Sequence, residues 1–206
     1  MRIKQPEIIY EDEAIIVCRK EAGVAVQTAR AGQADVVSLL KNYRAKKKEE
    51  PYIGLIHRLD QPVEGLMVFA TPPQATAKLP AQVSSRSMEK EYLAVTTGAP
   101  EPPEGERRDR MLRDGKTNTS AVVARGTSQA KEAVLDYEVE QVLEDGQQAL
   151  VHIWLHTGRH HQIRVQFAHA GYPLVGDTKY GKPEQGGRYC PVALCSCRIG
   201  FIHPVT

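Results

Sequence analysis

A chain of 206 residues, with 41% hydrophobic and 25% charged residues, has the composition of a folded globular protein rather than of a disordered one. No apolar run approaches the length that crosses a bilayer, and four cysteines in this length do not make the framework of a small disulfide-bonded protein. We therefore expect a reduced, cytoplasmic protein with no membrane partner. The net charge of +2 indicates little about partners by itself.

Basic residues gather in two clusters along the chain. Such clusters suit a polyanionic partner such as RNA, because they supply contacts to phosphate groups. The alternative is two solvated surface segments whose charge is partly offset by neighbouring acids, and on charge alone this alternative is favoured. The first basic cluster contains Lys41, Arg44, Lys46, Lys47 and Lys48, and the second basic cluster contains Arg107, Arg108, Arg110, Arg113 and Lys116.

The first half of the chain predicts strands and two helices. Residues 8–18 have the composition of two strands joined by an acidic turn. Asp35 is suited to cap a helix whose apolar residues follow at helical spacing. A short apolar run at residues 65–70 is typical of a buried strand. A second helix is predicted from about Gln74, and Pro80 should break or kink it.

The second half is richer in strands. A strand at residues 92–96 is followed by a segment, residues 99–118, whose Pro, Gly and charged residues predict a loop excursion. A helix is expected at residues 159–170, with Gly171 as the first residue beyond its end. Many strands, few helices and no repeat indicate an α+β fold, and no linker divides the chain, so we expect one domain over residues 1–206. The other predicted strands are residues 120–124, 133–142, 149–156 and 192–201.

Asp60 is the first candidate for a chemical role. It lies between an apolar segment and the predicted buried strand at residues 65–70. A carboxylate in that position is held by rigid structure and stays reachable, as a nucleophile or general base must be. The alternative is an aspartate that caps a turn, which the following Gln61 and Pro62 favour, and on this fragment alone the cap is the better interpretation.

Arginines and histidines are concentrated around the start of the helix predicted at residues 159–170. Arg159 and the helix N-terminus could bind a phosphate group. Arg164 could pair with a buried acid and keep it ionised. Between this region and Asp60 lies Tyr92, at the entry to a strand. It is either a packed aromatic residue or a ring on which a base stacks, with a hydroxyl for proton transfer.

A metal site is the least favoured interpretation of these residues. The histidines near the predicted helix lack the spacing that places two imidazoles on one helix face. A zinc site built from the C-terminal cysteines is a further alternative, but their spacing does not match paired Cys-x-x-Cys modules. We expect no metal. The residues of that alternative are Cys190, Cys195, Cys197 and His203.

Taken in order, three segments resemble the RluA-type family of RNA pseudouridine synthases. His-Arg-Leu-Asp at residues 57–60 matches the first motif of the family, Lys-x-Tyr-x-Ala at 90–94 the second, and residues 157–165 the third. Residues 171–181 extend the third motif, and the resemblance runs from about residue 8 to residue 204. The chain departs from the family pattern at Glu21, in the early Lys-x-Ala-Gly-Val segment, and at three later places: residues 61–64, His160 and Gln166.

The resemblance implies a fold and a set of site residues. The implied fold is α+β, with a mixed, largely antiparallel central sheet flanked by helices and loops and with a central cleft. Asp60 would be the nucleophile or acid, attacking the sugar or the base or removing a sugar proton. Tyr92 would stack on the base, and Arg164 would pair with Asp60. The residues expected to contact RNA are His57, Arg58, Lys90, Arg159, Lys46, Lys47 and Lys48.

The resemblance also implies a reaction and a partner. It predicts a pseudouridine synthase that acts on uridines in structured RNA, either tRNA or rRNA, without a cofactor or a metal. The target base must leave its stack, which costs least in loops. An RNA partner shifts the interpretation of at least one basic cluster towards RNA contact. We further expect a monomer without a separate N-terminal RNA-binding module. The alternative is a catalytically inactive RNA-binding protein that uses the same cleft.

Overall fold

The computed structural model describes residues 4–30, 32–143, 146–181 and 190–206. It divides into two compact units, which we call the first unit (residues 1–88 and 196–206) and the second unit (residues 89–195). Strands predominate in both, and the described residues include three α-helices, so the predicted α+β class is confirmed. Among the described residues, no helix has the length and apolar character needed to cross a bilayer.

The first unit is built on an antiparallel group of strands. The hairpin expected at residues 8–18 is present as β1 and β2, and β2 pairs in turn with β4, with Lys20 opposite Gly65. Asp35 caps α1 as predicted, because its Oδ1 accepts a hydrogen bond from Ser38 N at 2.7 Å. The elements are β1 (Glu7–Glu11), β2 (Ile15–Lys20), α1 (Val36–Lys46), β3 (Gly54–Leu55), β4 (Glu64–Ala70), α2 (Pro73–Ser84) and β10 (Leu194–Gly200), of which residues 196–200 belong to this unit.

Pro80 lies inside α2 and does not end it, so a break at this proline is not observed. Ala75 and Leu79, which come earlier in the helix, are buried in the core of the first unit. The free energy gained from burying these two side chains offsets the loss of the backbone hydrogen bond that a proline removes from a helix. The buried residues of this core are Ala14, Ile15, Ile56, Val68, Ala70, Ala75, Leu79 and Met88.

Among its described residues, the second unit contains five antiparallel strands and one helix, besides the first two residues of β10. Strand β5 pairs with β9, β9 with β8, β8 with β6, and β6 with β7. Its core includes a T-shaped contact between Tyr137 and Phe167, with ring centroids 5.6 Å apart. The elements are β5 (Glu89–Thr97), β6 (Glu104–Asp114), β7 (Thr119–Val122), β8 (Lys131–Leu143), β9 (Gln148–Leu155) and α3 (Gln162–His169).

The prediction of a loop at residues 99–118 was wrong, because most of that segment is the long strand β6. Its side chains are mainly exposed and charged, so they lack the hydrophobic alternation that reveals a half-buried strand. Backbone pairing with β8 stabilises it instead, together with charge pairs such as Arg108 with Glu106 and with Glu132, each at 2.9 Å.

Helix α3 begins three residues later than predicted and ends where expected. His161 precedes it in the left-handed conformation, with φ 55°, which a continuing α-helix does not allow. At the other end Gly171 has φ 92°, Gly171 N donates to Ala168 O at 3.1 Å and Tyr172 N donates to Phe167 O at 2.9 Å. These two bonds form a Schellman motif, and they confirm Gly171 as the residue beyond the helix end.

Alanine substitutions at two glycines should differ in cost. Gly171 has open space where a Cβ would lie, so Gly171→Ala should lose only the strain of a left-handed alanine, about 1–2 kcal/mol. Gly65 has φ 123°, and a Cβ there would collide with the backbone N and O of Ser196. Gly65→Ala should therefore cost more free energy of unfolding than Gly171→Ala, measured by urea denaturation. Equal costs would contradict the close approach of the Gly65 backbone to Ser196.

Candidate active site

Asp60 lies on a tight turn that leads into β4. Val63 N donates to Asp60 O at 3.1 Å and closes the turn. The flanking apolar side chains, Leu59 and Val63, are 6% and 2% exposed, and they anchor the turn on the core of the first unit. Asp60 itself is half-buried. A carboxylate on an anchored turn, partly open to solvent, has the rigidity and the access that a nucleophile needs.

A second segment of the first unit holds this turn in place. The carbonyl oxygen of Gln61 accepts hydrogen bonds from Gly23 N at 2.8 Å and from Lys20 Nζ at 3.0 Å. The side-chain amide of Gln61 donates back to Gly23 O at 2.9 Å. Sequence analysis gave Lys20 no role, because a lysine at the end of a strand is ordinarily exposed. Its place in the early segment that resembles the family was the only signal.

The two residues that begin the first motif face different surroundings. His57 is half-buried, and its Nε2 accepts a hydrogen bond from Val68 N at 3.2 Å, so the imidazole is attached to the backbone of β4. Arg58 is exposed. Of the two side chains, that of Arg58 is therefore the more accessible for the predicted contact with RNA.

The second motif lies along β5. Lys90, Tyr92 and Ala94 alternate with their neighbours, so their side chains share one face of the strand. Tyr92 is 6% exposed and pairs across the sheet with Ile153. Lys90 is half-buried, burial lowers the pKa of its ammonium group, and its Nζ lies close to Gly158 at the start of the third motif. The third motif thus approaches the second within one unit.

Arg164 is buried in an ion pair with Asp177. The guanidinium Nε and Nη2 each donate to one carboxylate oxygen of Asp177 at 2.7 Å, and the two side chains are 4% and 0% exposed. Burial alone would raise the pKa of Asp177, but hydrogen bonds from Arg164 and its charge bring that pKa below the usual value. Sequence analysis placed Asp177 in the extension of the third motif without a role. The pairing of Arg164 with Asp60 stays a prediction.

Gln162 fixes the loop that precedes α3. Its side-chain oxygen accepts from Thr157 Oγ1 at 2.7 Å and from Arg159 N at 3.0 Å, and its amide donates to Val134 O at 3.1 Å. Arg159 is half-buried and donates through Nε to Glu132 O at 2.7 Å. Both ends of the third motif's loop are therefore attached to β8.

The histidines of the third motif pack against each other and against Tyr180. The rings of His160 and His161 stack with centroids 3.7 Å apart, and His161 Nδ1 lies 2.6 Å from the Tyr180 hydroxyl. Burial, followed by the charge of Arg164, lowers the pKa of His161 to about 3, so its imidazole is neutral at pH 7. His160, a departure from the family pattern, contacts Ser120 Oγ at 2.9 Å. No cluster of potential metal ligands occurs among the residues that the structure describes.

The two basic clusters are less free than their sequences suggest. In the first basic cluster Arg44 is buried beside Glu49, and Lys47 contacts Glu11 and Glu49 at 3.0 and 3.1 Å. In the second basic cluster the Arg107 guanidinium lies over the rings of Tyr137 and Phe167, and Arg108 pairs with Glu106 and Glu132. Lys41, Lys46 and Lys48 are exposed and extend the first basic cluster into solvent.

The predicted site residues fall into both compact units. Asp60 lies in the same unit as Arg58 and His57, and Tyr92 lies in the same unit as Arg164. Those of the first unit are Lys46, Lys47, Lys48, His57, Arg58 and Asp60, and those of the second unit are Lys90, Tyr92, Arg159 and Arg164.

The ion pair of Arg164 and Asp177 makes the first prediction for this site. Asp177→Asn keeps the shape and removes a charged partner that the buried Arg164 guanidinium contacts with two hydrogen bonds, so the free energy of unfolding at pH 7 should fall by about 3–5 kcal/mol. Because the folded pKa of Asp177 is lowered, its contribution is present above its unfolded pKa and is lost as the pH falls through the folded value. The difference between wild type and Asp177→Asn should therefore shrink in acid.

Urea denaturation at neutral pH and at about pH 3 measures both effects, the lower pH lying below the usual range for aspartate. Asp136→Asn is the matched control, because this carboxylate is about half exposed and lies 2.7 Å from the half-exposed His156 imidazole. A constant difference between wild type and Asp177→Asn across this range would contradict the assignment.

The first basic cluster makes a second prediction, on RNA affinity. The double variant Lys46→Ala/Lys48→Ala removes two exposed charges, and each lost phosphate contact reduces the log–log salt slope of binding by about 0.7–0.9. Lys47→Ala removes a charge that Glu11 and Glu49 already offset, so its slope should change less. Titrations at several salt concentrations, read by fluorescence anisotropy, measure the slopes. An unaltered slope in the double variant would make this cluster a solvated surface.

Comparison with known proteins places these residues in a family context. A family model described as RNA pseudouridylate synthase matches residues 14–169. Ribosomal large subunit pseudouridine synthase D of Pseudomonas aeruginosa is 38% identical over 184 residues, which cover 85% of this chain and 53% of the relative. The protein of the same name from Zymomonas mobilis is 32% identical over 213 residues, covering 97% and 66%. The chain thus spans between half and two thirds of the length of these relatives.

Solved structures show the same fold. The human protein RNA Pseudouridylate Synthase Domain Containing 4 superimposes with a TM-score of 0.79 at 24% identity, covering 94% of this chain and 83% of that chain. Human RNA Pseudouridylate Synthase Domain Containing 1 gives a TM-score of 0.76 at 24% identity, covering 94% and 77%. At this level of identity the likeness concerns the fold alone.

Proposed function

Because this chain belongs to the RNA pseudouridylate synthase family, we propose that it converts uridines of structured RNA to pseudouridine, with Asp60 as the catalytic nucleophile. One observation carries the choice of Asp60: its turn is anchored on both sides by buried apolar residues, while its carboxylate is half-buried rather than sealed in the core. A turn-capping aspartate needs no such support. The first motif supplies the same residue by resemblance.

The proposed reaction is an isomerisation within one nucleotide, with no net gain or loss of atoms or electrons. The bond between C1′ and N1 breaks, the uracil turns, and a bond forms between C1′ and C5. The hydrogen on C5 is released as a proton, and N1 takes one up. The reaction therefore needs no redox agent and no group donor. It needs a nucleophile, a surface to hold the detached base, and a group that moves a proton.

The residues of this chain can be assigned to those needs. Asp60 provides the nucleophilic carboxylate, and the ring of Tyr92 provides a face for the base and a hydroxyl for the C5 proton. Arg164 is a buried cation that Asp177 already orients, which suits it to hold a second carboxylate in a fixed direction. Arg58 is exposed at the start of the turn, so its planar guanidinium can occupy the stack that the base leaves.

We propose ribosomal RNA of the large subunit as the substrate, in preference to tRNA. The support is that two relatives, 38% and 32% identical to this chain, are named as pseudouridine synthases of the large ribosomal subunit. Flipping a uridine out of its stack costs a few kcal/mol, least in loops, so a hairpin loop of that RNA is the expected target. The exposed lysines of the first basic cluster would hold its phosphates without reading sequence.

Complementation tests the proposed function and its nucleophile together. Cells that lack the gene receive wild type, Asp60→Asn or the control Asp136→Asn, and pseudouridine is mapped in large-subunit rRNA and in tRNA. We expect at least one rRNA uridine to be modified with wild type and Asp136→Asn and to stay unmodified with Asp60→Asn. The carboxylate is the reacting group, so its loss removes the chemical step.

Other outcomes would separate the parts of the proposal. Modification with Asp60→Asn at the wild-type level would reject the nucleophile, and modification confined to tRNA would reject the substrate. A purified wild-type protein that binds the RNA while no site in the cell depends on it would favour the inactive RNA-binding protein.

A further inference from the structure

Lys20 is a charged side chain with no exposed surface. It ends β2 and is 0% exposed, among the largest fully buried side chains of the described residues. Removing an ammonium group from water costs several kcal/mol, which the fold must offset by hydrogen bonds or by opposite charge. A neutral residue would fill the same space without this cost, so the charge calls for a separate explanation.

The three hydrogens of the ammonium group meet three backbone carbonyl groups. Lys20 Nζ lies 3.0 Å from Glu21 O, 2.7 Å from Val24 O and 3.0 Å from Gln61 O. The first two carbonyls are local, and they fold the chain after β2 around the lysine. The third belongs to the residue that follows Asp60. Lys20 therefore joins the end of β2 directly to the turn that carries the proposed nucleophile.

Mechanical attachment of the turn does not itself require a charge. Gly23 already donates its N–H to Gln61 O, and the neutral Gln61 amide donates to Gly23 O at 2.9 Å. These bonds connect the same two segments. The positive charge of Lys20 therefore adds something that the neutral bonds do not supply.

Two carboxylates act on this charge. Burial lowers the pKa of Lys20 to about 8, while the negative charges of Asp60 and Glu64 act in the opposite direction and favour the ammonium form. Lys20 is therefore mostly protonated at pH 7. The other charged side chains nearby in sequence, Arg19, Glu21 and Arg58, are exposed and screened by water, and Arg19 pairs with Glu7 at 3.0 Å. Arg164, if it pairs with Asp60 as predicted, would add a second positive charge.

We propose that Lys20 is a positioning residue for the reaction: it fixes the turn that carries Asp60, and its buried positive charge holds the Asp60 carboxylate in the ionised, nucleophilic form. This inference rests on the proposed role of Asp60. Lys20 is fully buried and contacts the turn through the Gln61 carbonyl, so it can act without touching the RNA. Its effect on the reaction is electrostatic and geometric.

The charge has a consequence that can be measured. A protonated carboxylic acid is not a nucleophile, so the rate should fall in acid as Asp60 takes up a proton. We call this fall in rate at low pH the acid limb of the pH–rate profile. A neutral residue at position 20 removes a nearby positive charge and should move the acid limb to higher pH. Activity lost at low pH should then return as the pH rises. A residue that only supports the fold would lower the rate equally at every pH.

The experiment compares pH–rate profiles of wild type, Lys20→Met, Lys20→Arg and Gln61→Ala. Release of the C5 hydrogen from labelled large-subunit rRNA is measured under single-turnover conditions from about pH 3 to about pH 8, a range that extends to both sides of the usual aspartate value of about 3.9. Circular dichroism confirms the fold at each pH. Gln61→Ala is the matched control, because it removes a bond between the same two segments without changing the charge.

We expect the acid limb of Lys20→Met to lie about one pH unit above that of wild type, because the variant loses one positive charge near a half-buried carboxylate. Lys20→Arg keeps the charge and should keep the wild-type limb, even if the larger group lowers the rate. Gln61→Ala should also keep the limb. An unshifted limb in Lys20→Met, or a limb shifted equally in Gln61→Ala, would overturn the inference.

Two further outcomes are informative. If Lys20→Met does not fold, Lys20→Gln replaces it, and if neither folds, a shifted limb in Lys20→Arg overturns the inference because that variant retains the charge. An Asp60→Asn variant that releases the C5 hydrogen at the wild-type rate would reject the proposed function itself. An inactive Asp60→Asn variant with unshifted Lys20 profiles would reject the inference alone.

Discussion

Removing a charged group from water is costly, and that cost governs the arrangement of functional residues in both units. In the second unit the buried Arg164 guanidinium is compensated by Asp177, which accepts two hydrogen bonds of 2.7 Å from it. Asp177 is itself held by the backbone N–H of Lys179 at 3.0 Å, so α3 and the segment after it are joined through one ion pair. In the first unit the Lys20 ammonium is satisfied by three carbonyl groups. In each unit a buried cation connects segments that are separated in the sequence.

The buried cations also set the protonation of their neighbours. Beside Arg164, hydrogen bonds and the guanidinium charge outweigh burial and lower the pKa of Asp177. Burial, followed by the charge of Arg164, lowers the pKa of His161 to about 3, so its imidazole is neutral at pH 7. A neutral His161 can accept the Tyr180 hydroxyl hydrogen, while the same hydroxyl oxygen accepts from Ser120 N at 2.9 Å. The left-handed residue before α3 is thus fixed by a bond that a charged imidazole could not accept.

Sequence reasoning succeeded where the pattern is local. The Asp35 cap and the Gly171 helix end are specified by residue types within one turn of the chain, and both are observed. It failed for β6, because a strand held by backbone pairing and exposed charge pairs lacks the periodicity that marks a buried face. The contacts of Arg164 with Asp177 and of Lys20 with Gln61 were also missed. Asp177 and Gln61 lie 13 and 41 residues away in sequence, and such contacts exist only after the chain has folded. The resemblance to a family identified Arg164, but spacing could not identify Asp177 as one of its partners.

The three-carbonyl contact of Lys20 also has a consequence for how this protein can vary. It closes a long excursion of the chain, residues 25–59, whose two ends are fixed beside each other by Lys20, Gly23 and Gln61. Lengthening a loop whose ends stay joined costs little, because closure entropy grows slowly with length. The first basic cluster lies within this excursion. Under the proposed function, insertions and charge changes there would alter how tightly the phosphates of the RNA are held, while the segment bearing Asp60 keeps its position. RNA affinity and chemistry could therefore change independently in this unit.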